Sequence, residues 1–344
     1  DVEIGMGSLT QSFGIVGQVE QLEIKRIEVD PINGQLRIER VHLHEPDVSL
    51  FLGPSGPDDE EESQSWFVSV KQVDVHEGHV KLDMSDASLS AAMQKVTPSP
   101  YLDYQHLNLE NVSLSAHDIL YDTNLIRATI DDLRAQETYS GLDVMQLHAS
   151  VEMEDEDLSV KDLDLHLNNG AMLLGEVETQ LAILDSLHHG YLNASLQCKL
   201  DSANLFRLAA PYLPALTHYW EGEMLAVAVE GRLTGDSLDL RKLDLSIDND
   251  VDLKAEAFGL YPFDNEQRSV AATIKTELNH ADYLLSAFVE APNKRDYRLP
   301  DSLALELEAT QRQQLFSGRL DVRQQERDVL GAEGSYELKQ ERYH

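Results

Sequence analysis

Basic side chains are scarce in this 344-residue chain: 27 Lys and Arg stand against 62 Asp and Glu, a formal net charge of −35. Phosphate recognition needs a basic footprint, so nucleic-acid binding through the backbone is excluded, and long-range attraction to an anionic bilayer is disfavoured. Cysteine is nearly absent. With Cys198 alone there is no internal disulfide and no multi-thiolate metal centre. Its place in the alternating series Leu192, Ala194, Leu196, Cys198, Leu200 predicts a buried core thiol. Aromatic residues make up only 6% of the chain. The two tryptophans, Trp66 and Trp220, are too few for the stacking platforms of a carbohydrate-binding solenoid or sandwich. No run approaches the ~18 apolar residues of a membrane-spanning helix. Glycine-rich phosphate loops, a nucleophile elbow and a His-Glu-x-x-His motif are all missing, so the chain reads as non-enzymatic. It starts at Asp1 without a start methionine or signal peptide, which suggests a processed or trimmed soluble portion of something larger.

What is present is one strand pattern, used again and again: apolar, any, apolar, two spacers, apolar, any, apolar. It reads Leu22-Ile24-Ile27-Val29, Leu36-Ile38-Val41-Leu43, Val68-Val70-Val73-Val75 and Leu107-Leu109-Val112-Leu114. Further copies are Leu142-Val144-Leu147-Ala149, Leu158-Val160-Leu163-Leu165 and Leu238-Leu240-Leu243-Leu245. Period-two alternation marks a strand with one buried face. The paired spacers break the phase, so a bulge or short crossing must return the second apolar pair to the first pair's face. Residues 158–169 and 238–249 also match outside the apolar positions: Lys161 with Arg241, Asp164 with Asp244, Asn169 with Asn249. Each copy ends in an Asn-containing turn, and a second strand follows at 172–177 and 251–257. That is a repeated hairpin unit.

Along the chain, residues 1–52 read as short strands closing with His44-Glu45-Pro46-Asp47-Val48. Residues 53–65 are a Gly, Pro, Ser and acidic stretch, expected to be a flexible linker. Strands resume at Trp66 and continue to about residue 200, with an insertion at 85–100. From residue 201 a second β-rich segment runs to 344 and carries two apolar helices, at about 203–218 and 280–290. These helices are expected to cover the sheet's inner face through Leu205, Leu208, Leu284 and Phe288, with Phe206, Leu213, Leu216 and Tyr283 beside them.

Site candidates outside the apolar stripe are few. His42-x-His44 puts two imidazoles on one outward strand face, a metal-chelating spacing. With no third ligand near in sequence, the pair reads as surface histidines. His188-His189 reads as a hairpin tip. The acidic run from Glu152 to Asp157 lacks the glycine and fixed spacing of a calcium loop and reads as a solvated turn. No metal or cofactor is expected. The stripe itself fits either a closed sandwich core or an open gutter whose inner face meets lipid tails, and periodicity does not separate the two.

The segments Leu43-His-Glu-Pro46-Asp-Val-Ser-Leu50, Val70-Lys-Gln-Val-Asp-Val-His-Glu-Gly78-His-Val-Lys-Leu82 and Tyr101-Leu-Asp-Tyr-Gln-His-Leu-Asn-Leu109 resemble the AsmA-like family. The likeness is to the N-terminal part of its TamB branch in Bacteroidetes-type bacteria. The helix at 205–216, followed by Gly222–Gly231, Leu238–Leu245 and Val251–Phe258, is similar to the same family, and the likeness spans about 15–290. The resemblance implies an elongated, curled antiparallel sheet with an open apolar groove, built from repeated hairpins with a few short helices. It also implies a periplasmic location with an inner-membrane anchor in the full-length protein. That anchor and the long C-terminal continuation are absent from this chain. Phospholipid acyl chains are the implied partner, with an outer-membrane barrel of TamA type met through the missing C-terminal part. The groove would then be lined by Val70, Val73, Val75, Leu109, Val112, Leu114, Val160, Leu163, Leu165, Leu240, Leu243 and Leu245. The alternative is a structural scaffold that assists outer-membrane β-barrel assembly by strand pairing.

Overall fold

The structure, a computed structural model, describes residues 2–6, 13–52, 66–83, 99–185, 189–209, 224–264, 266–279, 300–325 and 327–337. The fold is mainly β, and its sheet is not closed into a barrel. It divides into two compact units. The first comprises residues 1–155, 159–172 and 204–212; the second comprises 156–158, 173–203 and 213–344. The linker 53–65, the insertion's residues 84–98, the helix's continuation past Ala209 and the whole segment 280–299 lie outside the described residues.

The first unit contains β1 (Val2–Met6), β2 (Phe13–Asp30), β3 (Gln35–Leu52), β4 (Phe67–Asp83), β5 (His106–Asp122), β6 (Leu125–Glu137), β7 (Leu142–Glu154) and most of β8 (Asp157–Leu167). From β1 to β7 each strand pairs with the next in sequence. All of these pairs are antiparallel except β3–β4, which is parallel. The uniformly antiparallel sheet expected from the hairpin repeats is therefore corrected at this one place. A parallel neighbour requires a crossover of a dozen or more residues, and the acidic segment after β3 supplies that length. Because β3 and β4 pair directly, the strands before and after the segment belong to one sheet. The division between units falls at the junction of β8 and β9.

The second unit contains β9 (Met172–Gln180), β10 (Tyr191–Leu200), β11 (Leu225–Thr234), β12 (Ser237–Ile247), β13 (Val251–Leu260), β14 (Ser269–Asn279), β15 (Ser302–Arg312), β16 (Leu315–Gln324) and β17 (Arg327–Glu337). From β10 onward every successive pair is antiparallel, as the short connections after β11, β12, β15 and β16 demand. The two matched copies are β8 and β12. Each runs into a short turn and then a strand, at Asn168–Gly170 before β9 and at 248–250 before β13. Asn169 takes φ 59° in the first turn and Asp248 takes φ 40° in the second.

In three copies of the pattern the phase break coincides with a left-handed residue. Arg26, Asn111 and Asp162, each the second of the two spacers, sit at φ 52°, 53° and 52°. A single left-handed residue turns the chain so that the next apolar pair returns to the first pair's face. The same device recurs at Glu45 (φ 48°), Glu77 (φ 54°) and Asp118 (φ 52°), before Pro46, Gly78 and Ile119. In β12 the register shift between Leu240 and Leu243 marks the corresponding break.

Candidate functional site

Because the bulges hold phase, the apolar positions of neighbouring strands meet. In the first unit Leu22, Leu43, Val75, Leu114, Leu133 and Leu147 stand opposite one another across β2 to β7. The adjacent row is Ile24, Val41, Val73, Ala116, Ile130 and Ala149. Val19, Val75, Val112 and Ala116 form the closed part of this face, and each is buried. Pro46 and Val112 flank Gly78, where an added Cβ would lie 3.1 Å from the proline ring. Towards β2 the face opens: Ile24, Ile27 and Val29 are exposed, Val29 at 57%.

In the second unit the rows are longer. Leu196, Val229, Leu243, Ala255, Ile274, Leu307, Leu320 and Ala332 run opposite one another from β10 to β17. Cys198, Val227, Leu245, Leu253, Thr276, Leu305, Val322 and Leu330 form the next row. Cys198 is half-buried, more open than a core thiol, and desolvation by its apolar neighbours raises its pKa above the usual thiol value. The opposite face is polar: the row through Glu256, Thr273, Glu308, Arg319 and Glu333 is typical. A shallow concavity of about 500 Å3 over β12–β15 is lined largely from that polar side, by Asp239, Arg241, Glu256, Thr273 and Glu308.

Of the expected groove residues, Val75 and Val112 are buried. Val70, Val73, Leu109, Leu114, Val160, Leu163 and Leu165 in the first unit are half-buried, as are Leu240, Leu243 and Leu245 in the second. A sandwich core would bury nearly all of them. Each apolar face thus retains accessible surface along most of its length.

The expected helix is present at Ser202–Ala209. Leu205 is buried, at 6% exposure, and Leu208 is half-buried, while Phe206 is exposed. Residues 204–209 group with the first unit and sit over one end of its sheet. There the Asn204 side-chain amide donates to the Asn168 carbonyl (3.0 Å), and Leu102 N–H donates to the Arg207 carbonyl (2.7 Å). Leu213, Leu216, Tyr283, Leu284 and Phe288 lie outside the described residues.

That same unit holds a polar network that the sequence reading missed. Glu137, only 2% exposed, accepts from the backbone N–H groups of Asn108 (3.3 Å), Tyr139 (3.2 Å) and Ser140 (2.6 Å), and from the Ser140 hydroxyl. Asn108 continues the network, its amide donating to Thr138 Oγ1 and its Oδ1 lying 2.8 Å from His79 Nε2. His79 Nδ1 is 3.0 Å from Asp47. The available signal was a carboxylate immediately before the turn Thr138-Tyr-Ser-Gly141, positioned to collect the turn's free N–H groups. Both Glu137 oxygens, Asn108 Oδ1 and Thr138 Oγ1 are engaged within this network, which reads as structural.

Compared with protein-family models, with curated proteins and with solved structures, the chain matches none.

Proposed function

We propose that this chain is a non-enzymatic, lipid-holding or lipid-conducting β segment of the periplasm, of the TamB and AsmA-like kind. The observation that carries the reading is the continuous apolar face of each unit, registered strand by strand and left largely half-exposed. Uncovered apolar surface on this scale marks an interaction site. An acyl chain is its natural occupant, because the face offers aliphatic side chains with no convergent polar groups that would select a headgroup. Each methylene moved from water to such a surface gains about 0.8 kcal/mol. In the full-length protein, an inner-membrane anchor and a barrel partner of TamA type belong to the same reading.

Cys198 offers a test that needs no engineered cysteine. It lies on the apolar row of the second unit and is the chain's single thiol. Phospholipid added below its aggregation limit should slow maleimide labelling of Cys198 several-fold, and native mass spectrometry should find phospholipid retained on protein purified from bacteria. A labelling rate indifferent to phospholipid, together with lipid-free protein in the spectrometer, would sink the reading.

One observation favours a second reading, assembly by strand pairing. All eleven residues of β17 are exposed, along a strand bonded to β16, which is the form a strand-accepting edge takes. Leu330→Pro would block such pairing at the edge and leave Cys198 protection by lipid unchanged.

A further inference from the structure

A cluster of metal-ligating side chains stands on the polar face of the first unit, away from the apolar surface. Glu20 on β2 and His44 and Glu45 on β3 place one ligand atom each within 4.8 Å of one another. Two backbone features build the cluster. Antiparallel pairing of β2 with β3 sets Gln21 against His44 and Val19 against Pro46, which brings Glu20 beside the bulge at Glu45. The left-handed φ of 48° at Glu45 keeps its carboxylate near the His44 ring, with Glu45 Oε1 3.7 Å from His44 Nε2.

A second observation adds imidazoles. The parallel pairing of β3 with β4 sets His76 directly beside His44. The His76 ring also lies 5.0 Å from the ring of His42. The two-residue spacing of His42 and His44, which in sequence lacks a third ligand, gains one from β4 and a carboxylate from β2.

We propose that Glu20, His44, Glu45 and His76 bind a divalent first-row transition ion of the zinc class. Imidazole nitrogen with carboxylate oxygen suits Zn2+, Cu2+, Ni2+ or Co2+, whereas Ca2+ and Mg2+ take oxygen ligands alone. Bonds of ~2.1 Å in a tetrahedral ion place ligand atoms about 3.4 Å apart, a short step from the 4.8 Å within which Glu20, His44 and Glu45 already hold their ligand atoms, while His76 enters from the adjacent strand position. Glu20 and Glu45 are exposed and His44 is half-buried, so these side chains have room to rotate. The ion would bridge β2, β3 and β4, and the site does not depend on the lipid reading.

The test is titration of the metal-stripped full chain with ZnCl2 in millimolar MgCl2, which occupies the diffuse acidic surface. Co2+ substitution then reports ligand type through its visible absorption. One Zn2+ per chain should bind, His44→Ala and Glu20→Gln should each weaken it at least tenfold, and His189→Ala, outside the cluster, should leave it unchanged. Circular dichroism of each variant checks that the strands persist. If Mg2+ suppresses all Zn2+ uptake, or if His44→Ala binds as tightly as the parent chain, the assignment is overturned.

Discussion

At the residue scale, phase in several strands rests on side chains in a conformation they ordinarily avoid. An L-residue in the left-handed region costs about 1–2 kcal/mol, less for Asn and Asp, whose short polar groups bond locally. Asn111 at φ 53° and Asp162 at φ 52° follow that preference; Arg26, Glu45 and Glu77 do not. Asn111→Gly should therefore be neutral or slightly stabilising, and Asn111→Val should cost about 1–2 kcal/mol. Urea unfolding midpoints measure both, and equal midpoints for Gly and Val would refute the bulge as the origin of phase. Gly175 is a sharper case. At φ 136° its Cα lies against the Ser195 carbonyl of β10, and a Cβ there would overlap that oxygen. Gly175→Ala should cost more than about 2 kcal/mol, read in the same unfolding experiment. The sequence announced the phase break, because Ile24 and Ile27 are three apart where alternation demands two. It did not announce which spacer turns, since Arg, Asn and Asp all occupy the turning position and glycine does not.

At the element scale, the hairpins were the legible part. The second strands expected at 172–177 and 251–257 appear as β9 and β13, a few residues longer, because alternation specifies a strand's existence better than its end. The parallel β3–β4 pair was illegible for a physical reason. The apolar pattern of β4 reads the same in either direction, and only the length of the segment before it hints at a crossover. The helix Ser202–Ala209 was visible through Leu205, Leu208 and Ala209 at helical spacing. Its place at the end of the first unit depends on Asn204, fully buried and bonded to the Asn168 carbonyl, which no periodicity reveals. Leu205→Asp would bury a charge with no partner and should cost about 3 kcal/mol or more. Hydrogen exchange should then show residues 202–209 losing protection while β5, β6 and β7 keep theirs. Unchanged exchange in the helix would mean that Leu205 does not anchor it.

For the whole molecule, the net charge of −35 is a stability statement as well as a solubility one. Concentrated like charge repels itself in the folded state. The visible ion pairs, such as Lys275 with Glu306 at 3.1 Å and Arg127 with Glu152 at 2.7 Å, are solvent-accessible, and exposed pairs contribute about 0–1 kcal/mol each. With 62 acidic groups against 27 basic ones, most carboxylates have no cation to themselves, so repulsion exceeds attraction in sum. Raising NaCl from 10 to 300 mM contracts the screening length from about 30 Å to below about 8 Å, which weakens the many distant repulsions more than the few close attractions. The urea midpoint should therefore rise with salt over this range. A midpoint that falls with salt would show that the paired charges outweigh the unpaired ones. The acidic face would then hold the sheet together, and its role as a solvated, aggregation-resistant backing to the apolar face would have to be abandoned.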